Sequence, residues 1–243
     1  MNKIYVVGIG PGGCDQMTGI AMEALKNSDA IIGYTVYVDL VKDTFPDKEF
    51  LTTPMKKEVD RCVLAFEEAK KGKVVSMICS GDAGVYGMTG LMYEVGVNYP
   101  DVELEIVPGV TAALGGAAVL GAPLIHDFCL ISLSDLLTPW EKIEARLLGA
   151  SQADFVICLY NPSSKKRHDY LQKACDLMMQ YKSPDTVCGT VCNIGREGEE
   201  YHLMTLRELR DTQVDMFTTV FIGNSQTKEI NGKMVTPRGY RNV

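Results

Sequence analysis

The chain opens on a short apolar run that ends in Gly8-Ile9-Gly10-Pro11-Gly12-Gly13. These residues fit GxGxxG, whose glycines permit a tight strand-to-helix turn and bring backbone close to a phosphate at a helix N-terminus. A dinucleotide site also needs an acidic residue about 20 positions on, to hold a ribose. Gly33-Tyr34-Thr35 stands there instead, and Asp39 comes too late. Pro11 also removes one N–H from any phosphate cradle. A nicotinamide-dependent oxidoreductase therefore rests on the glycines alone. The loop reads better as one that borders an active cleft, with its backbone close to a ligand.

Four more loops of small residues follow apolar runs. They are Ser80-Gly81-Asp82-Ala83-Gly84-Val85-Tyr86-Gly87, Pro108-Gly109-Val110-Thr111-Ala112, Tyr160-Asn161-Pro162-Ser163 and Gly223-Asn224-Ser225. In open α/β sheets ligands bind beyond the carboxyl ends of strands, so all four are expected to line one trough. The eight cysteines form no CxxC pair, and Cys79, Cys129 and Cys158 sit in apolar runs. Most are read as reduced, buried small hydrophobes, which implies a reducing compartment, the cytoplasm. No metal site is read from them.

The elements that must position these loops alternate. Residues 3–8, 29–32, 73–79 and 102–107 read as strands, and 18–27, 36–42, 58–71, 85–98 and 111–120 as helices. The clearest helix carries Val59, Cys62, Val63, Phe66 and Ala69 along one stripe and stops at Gly72. The run at 73–79 is almost wholly apolar, as suits a strand covered on both faces. Further on, 127–133, 154–160, 186–192, 201–204 and 217–222 read as strands, with helices at 139–148, 165–181 and 206–209. The excess of strands in this half predicts a mixed sheet. The fold class is thus α/β, with domains at 1–115 and 116–243 joined near 109–126.

Bulk properties narrow the partners. The 243 residues are 46% hydrophobic and 23% charged, ordinary values for a globular chain with a real core. A net charge of −7 argues against a nucleic-acid partner. Residues 107–125 are uncharged and of membrane-span length, but Pro108, Pro123 and four glycines make them a buried loop–helix–loop. The N-terminal apolar run is too short for a signal peptide, so no membrane role is expected.

Taken jointly, VVGIGPG (6–12), SGDAGVYGM (80–88), LGAPLIHDFC (120–129), DFVICLYNP (154–162) and TPRGY (236–240) resemble the tetrapyrrole (corrin/porphyrin) methylases over essentially the whole chain. ISLSDLLTPW (131–140) resembles one branch of that family, as do SGDAGVYGM, LGAPLIHDFC, DFVICLYNP and TPRGY. That branch methylates C-17 of precorrin-3B or cobalt-factor III and contracts the ring to (cobalt-)precorrin-4 in cobalamin synthesis. A departure is Ala83, where many members carry proline after Gly-Asp.

The resemblance implies S-adenosylmethionine folded in a cleft between two α/β domains, the N-terminal one on the tetrapyrrole side. Its contacts would come from Pro11, Gly81, Asp82, Ala83, Val85 and Tyr86, from Thr111 and Ala112, and from Tyr160, Asn161 and Asn193. Asp82 either attracts the sulfonium or ammonium charge or serves its own turn. Ring contraction needs proton transfers. The candidates are His126, Asp127, Ser132, Ser134, Asp135 and Thr138, of which His126, Asp135 and Ser132 are taken as the acid–base set; alternatively His126 is bonded to backbone, and Ser134 and Asp135 cap the next helix. Ser134 and Thr138 are further substrate contacts. An acidic tetrapyrrole also calls for basic side chains, and Lys56, Lys57 and Arg61, or Lys165 to His168, or Arg238 and Arg241, are the candidates. A homodimer is expected. The alternatives are a methylase acting elsewhere on a tetrapyrrole, and a non-catalytic tetrapyrrole-binding protein.

Overall fold

In the computed structural model, residues 2–54, 56–164 and 166–240 are described. They fall into two compact units, Met1–Ala112 and Ala113–Val243.

In the first unit the opening apolar run forms β1 (Asn2–Gly8), followed by α1 (Gly19–Lys26), β2 (Ala30–Tyr34), α2 (Thr35–Asp39), β3 (Glu49–Thr53), α3 (Glu58–Lys70), β4 (Val74–Cys79), α4 (Thr89–Gly96) and β5 (Val102–Val107). All five strands are parallel, in the order β3-β2-β4-β1-β5. Side chains alternate across a strand, and here each face has its own helical cover. Ile4, Val6, Val75 and Met77 pack on Cys62, Ala65, Phe66 and Ala69 of α3. Val7, Ile31 and Ile78 pack on Ala21, Ala24 and Leu25 of α1. The Thr18 hydroxyl starts α1 by accepting from Ala21 N at 3.2 Å, and Gly72 ends α3 in the left-handed region at φ +89°.

The second unit is carried by α5 (Ala112–Leu120), β6 (Gly121–Ala122), β7 (Phe128–Ser132), α6 (Trp140–Gln152), β8 (Val156–Tyr160), α7 (Tyr170–Met178), β9 (Val187–Cys192), β10 (Glu200–Thr205), α8 (Leu206–Arg210), β11 (Thr218–Ile222), β12 (Lys228–Ile230) and β13 (Lys233–Val235). Its main sheet runs β10-β9-β11-β8-β7 and is mixed, as expected: β7 and β8 are parallel, while β11 runs antiparallel to both β8 and β9. One face rests on Ile143 and Leu147 of α6, Leu171, Ala174 and Met178 of α7, and Leu206 and Leu209 of α8. The other receives α5, where a Cβ on Gly116 would come within 2.8 Å of Phe221. The uncharged stretch is thus a helix with flanking loops, buried only along the face of Ala113, Gly116, Ala117 and Leu120, while Leu114 stands 51% exposed, so the expectation of a wholly buried segment is corrected. No helix among the described residues is long and apolar enough to cross a membrane.

Several boundaries differ from those read in the sequence. α4 begins at Thr89, after a loop that turns through Tyr86 at φ +54°, not at 85. α7 begins at Tyr170, not at 165, because Arg167 is drawn off to the end of β7. The edge strand β3 and the short strands β6, β12 and β13 were not anticipated; β13 pairs with β6, and β12 with β13.

Candidate active site

In the first unit, three of the glycine-bearing loops are tied into one knot at the carboxyl end of the sheet. Past β1 and β4 the chains keep pairing, with Ile9 N donating to Cys79 O at 2.9 Å. Gly10 and Gly81 then exchange N–H···O bonds of 3.0 and 2.7 Å, and both turn away at positive φ. The Asp82 carboxylate closes the knot. One oxygen accepts from Gly84 N and Val85 N (2.8 and 3.1 Å), and the other from Gly109 N at 2.9 Å in the loop after β5. Gly8, Gly81 and Gly109 stack backbone on backbone, so that a Cβ on Gly8 would stand 2.7 Å from Gly109 N. Thr18 Oγ1 adds a bond of 3.1 Å to Pro108 O.

Asp82 thus ties its own turn to the loop after β5. The knot holds Pro11 and Ala83 buried and presents Gly84 and Tyr86 to solvent. Tyr86 is 53% exposed and left-handed, a costly conformation for a bulky residue, of the kind that accumulates at binding loops. Thr111 is buried where this loop system runs into α5.

In the second unit the strand-end residues are again left-handed: Asn161 after β8 (φ +53°) and Asn193 after β9 (φ +51°). β8 and β9 both run antiparallel to β11, so these two asparagines share one end of the sheet. Tyr160 Oη accepts from Ala113 N at 2.8 Å and so caps the start of α5. The Asn161 amide donates to Ser132 Oγ at 3.0 Å, and an acceptor oxygen remains on the same side chain. Gly223-Asn224-Ser225 does not join them. β11 runs the other way, so this loop lies at the opposite end of the sheet, bonded to Asp154. The expectation of one trough lined by all four loops is corrected accordingly.

The acid–base candidates are spread out. Asp135 accepts from Tyr170 Oη at 2.7 Å and stands 3.8 Å from Arg167 Nε. That hydrogen bond to a carboxylate holds the Tyr170 phenol above its usual pKa. Ser132 Oγ accepts from Ser134 N at 3.2 Å as well as from Asn161. α6 is preceded by Pro139 with no side-chain cap, so Ser134 and Asp135 are not its caps. Thr138 lies in the same segment, half-buried. His126 Nε2 donates to Pro237 O at 3.1 Å, which ties it to the chain's end and not to the Asp135 group.

The basic candidates also separate. Lys56 is exposed, at φ +67°, and Lys57 pairs with Asp60 at 2.9 Å. Arg61 is only 5% exposed: Nε donates to Thr53 Oγ1 at 2.9 Å, and the guanidinium reaches Pro54 O and the Tyr34 ring. It braces the end of β3 and forms no surface patch with Lys56. Arg238 is exposed, and Lys165 and Arg241 lie outside the described residues. Among the described residues no group of three or more His, Cys, Asp or Glu could hold a metal.

Glycine loops knotted at the ends of parallel strands, with a second set of left-handed strand ends after β8 and β9, call for comparison with known families. A family model described as tetrapyrrole (corrin/porphyrin) methylases matches residues 3–210. The chain belongs to the tetrapyrrole methylases. Among tetrapyrrole methylases it is 49% identical to a probable cobalt-factor III C(17)-methyltransferase of Salmonella typhimurium, over 98% of this chain and 99% of that one. It is 40% identical to a precorrin-3B C(17)-methyltransferase of a Sinorhizobium species, over 98% and 96% of the two chains. The crystal structure of the methyltransferase CobJ matches it with a TM-score of 0.88 at 33% identity, covering 98% of this chain and all of that one.

Two features of this tetrapyrrole methylase were not read from the sequence. Tyr170 holds Asp135, and Tyr160 caps α5; both depend on residues brought together from more than 30 positions apart. The positive φ of Asn161 and Asn193 had a signal, since asparagine tolerates the left-handed region better than other side chains.

Proposed function

We propose that this chain transfers a methyl group from S-adenosylmethionine to C-17 of cobalt-factor III or of metal-free precorrin-3B, with ring contraction, in the synthesis of cobalamin. The observation that carries the reading is the 49% identity, over nearly the full length of both chains, to the Salmonella cobalt-factor III C(17)-methyltransferase. The eight free thiols suit a reducing cytoplasm, and a homodimer is the expected assembly.

The residues present suit the donor. Its methionine end needs an acceptor for ammonium and donors for carboxylate, and its adenine needs amide-like partners. Backbone groups of Pro11, Gly81, Asp82, Ala83, Val85 and Tyr86, with Thr111 and Ala112, would supply part of this; Tyr160, Asn161 and Asn193 would supply the rest. When bound, S-adenosylmethionine offers a methyl on a sulfonium, already a good leaving group, so positioning carries much of the rate. The knot around Asp82 serves that purpose by fixing three loops in one arrangement. For ring contraction, Asp135 with its Tyr170 hydrogen bond is a place where a proton can be held, and Ser132 and His126 are the other candidates. Lys56, Arg61, Ser134 and Thr138 are proposed on the substrate's side, Arg61 by bracing β3.

The test is anaerobic incubation of the purified protein with S-adenosylmethionine and cobalt-factor III, or with precorrin-3B in a parallel sample, followed by mass spectrometry. A product one methyl heavier, with the absorption of a contracted ring, is expected. Methylation of only one of the two would decide between them, and methylation of neither would reject the reading. If Asp135→Asn and His126→Ala both keep product formation within about tenfold of the parent, the acid–base assignment is wrong, because such groups ordinarily contribute more than that.

A further inference from the structure

Leu136 and Leu137 stand 73% and 98% exposed between β7 and α6. A lone exposed leucine needs no explanation, but two in succession on an irregular segment leave a substantial apolar area in water. The segment bearing them is held on both sides. Leu133 N donates to Tyr160 O at 2.9 Å, and Arg167 donates to Leu133 O at 3.2 Å. Asp135, the residue before the pair, is fastened to Tyr170 at 2.7 Å, and Trp140 lies against the same Tyr170 ring at 4.6 Å. Ion pair, hydrogen bonds and ring contact thus converge to keep the two leucines out of the core.

Their place in the sheet points to an occupant. β7 and β8 are parallel and in register at Ser132 and Tyr160, so the pair leaves the sheet at the end where Tyr160, Asn161 and Asn193 lie. Arg167, which grips Leu133 and Asp135, is flanked in the chain by the exposed Lys166 and His168. An apolar step on a segment gripped by the Arg167 guanidinium, with Lys166 next to it in the chain, complements a flat conjugated ring rimmed with carboxylates.

We infer that Leu136 and Leu137 form an apolar rest for the face of the tetrapyrrole macrocycle and so help set substrate affinity. This rests on the proposed function and goes beyond it by giving two unassigned residues a binding role. Burying two leucine side chains against a ring is worth at least one order of magnitude in affinity.

The test is the double variant Leu136→Ser/Leu137→Ser, made in the full chain, with Leu136→Met/Leu137→Met as the conservative control. Binding of cobalt-factor III is followed by absorbance, binding of S-adenosylhomocysteine by calorimetry, and oligomeric state by light scattering. Both leucines are exposed, so the serine variant is expected to fold normally. The inference expects tetrapyrrole binding weakened about tenfold or more. It also expects binding restored in the methionine variant, S-adenosylhomocysteine binding unchanged, and the assembly unchanged. Equal tetrapyrrole binding by parent and serine variant overturns the inference and leaves the proposed function standing. Weakened binding accompanied by a changed oligomeric state overturns it in favour of a subunit contact. A parent protein that does not bind the tetrapyrrole at all removes both readings.

Discussion

Gly109 shows at the scale of one residue how the site is built. A Cβ there would overlap the Gly81 carbonyl oxygen and stand 2.6 Å from Gly8 O, and backbone cannot step aside as a flexible side chain can. Gly109→Ala is therefore expected to cost about 3 kcal/mol, read from the urea midpoint. Asp82→Asn keeps the shape but replaces one of two acceptor oxygens by an NH₂, which cannot accept from the N–H groups now bonded to the carboxylate. It should cost about 2 kcal/mol and weaken S-adenosylhomocysteine binding, since the loops it fixes are those proposed to hold the donor. Ser151 is the opposite case. It is 3% exposed in α6, and its hydroxyl is without a partner among the described residues. Ser151→Ala should stabilise the protein by about 0.5–1 kcal/mol, through a better helix former and one fewer unsatisfied group. A loss of stability would mean that the hydroxyl is bonded.

At the scale of elements, the far end of the second sheet is fastened by Lys182, which follows α7. Its buried ammonium donates to Phe155 O and Gly223 O, both at 2.9 Å, and lies 3.6 Å from Asp154. It thereby joins the start of β8 to the end of β11. Burial disfavours the charged form and lowers its pKa below the ordinary 10.5, with Asp154 opposing the shift. Between the lowered value and 10.5 the unfolded chain holds a proton that the folded chain has released. Over that interval the stability of the parent relative to Lys182→Met must rise with pH. Urea midpoints of both proteins from pH 8 upward test this, and a parent that loses ground to the variant would reverse the sign of the argument. At neutral pH the variant should be the less stable, since two buried carbonyls lose their donor.

For the whole molecule, the eight thiols report on the fold. Cys62, Cys79, Cys158, Cys175 and Cys188 are buried, while Cys14, Cys129 and Cys192 are partly exposed. Burial raises Cys62 to about 11 and Cys79 and Cys175 to about 12, and lifts Cys158 and Cys188 as well. Thiolate is the reactive form, so a thiol reagent at pH 8 should label Cys14 and Cys192 first and reach the five buried thiols only on unfolding. Peptide mapping after timed labelling checks the order, and rapid native labelling of Cys79 or Cys188 would show that a unit opens readily.

The amino-acid sequence by itself determined the α/β class, most strands and the position of each glycine loop. Strands covered on both faces must be apolar throughout, and a tight strand-to-helix turn must be small, so both leave a local record. The tetrapyrrole methylase motifs are local in the same way. Only the tertiary structure decided which strand ends face the same way: nothing in Thr218–Ile222 reveals that β11 opposes β8, and Gly223-Asn224-Ser225 left the expected trough for that reason. It also decided that Arg61 turns inward to the carbonyls at the end of β3, and that Arg167 delays α7 by gripping Leu133. The direction of a strand and the partner of a long side chain are settled by which residues fold next to one another, and sequence position carries no trace of that.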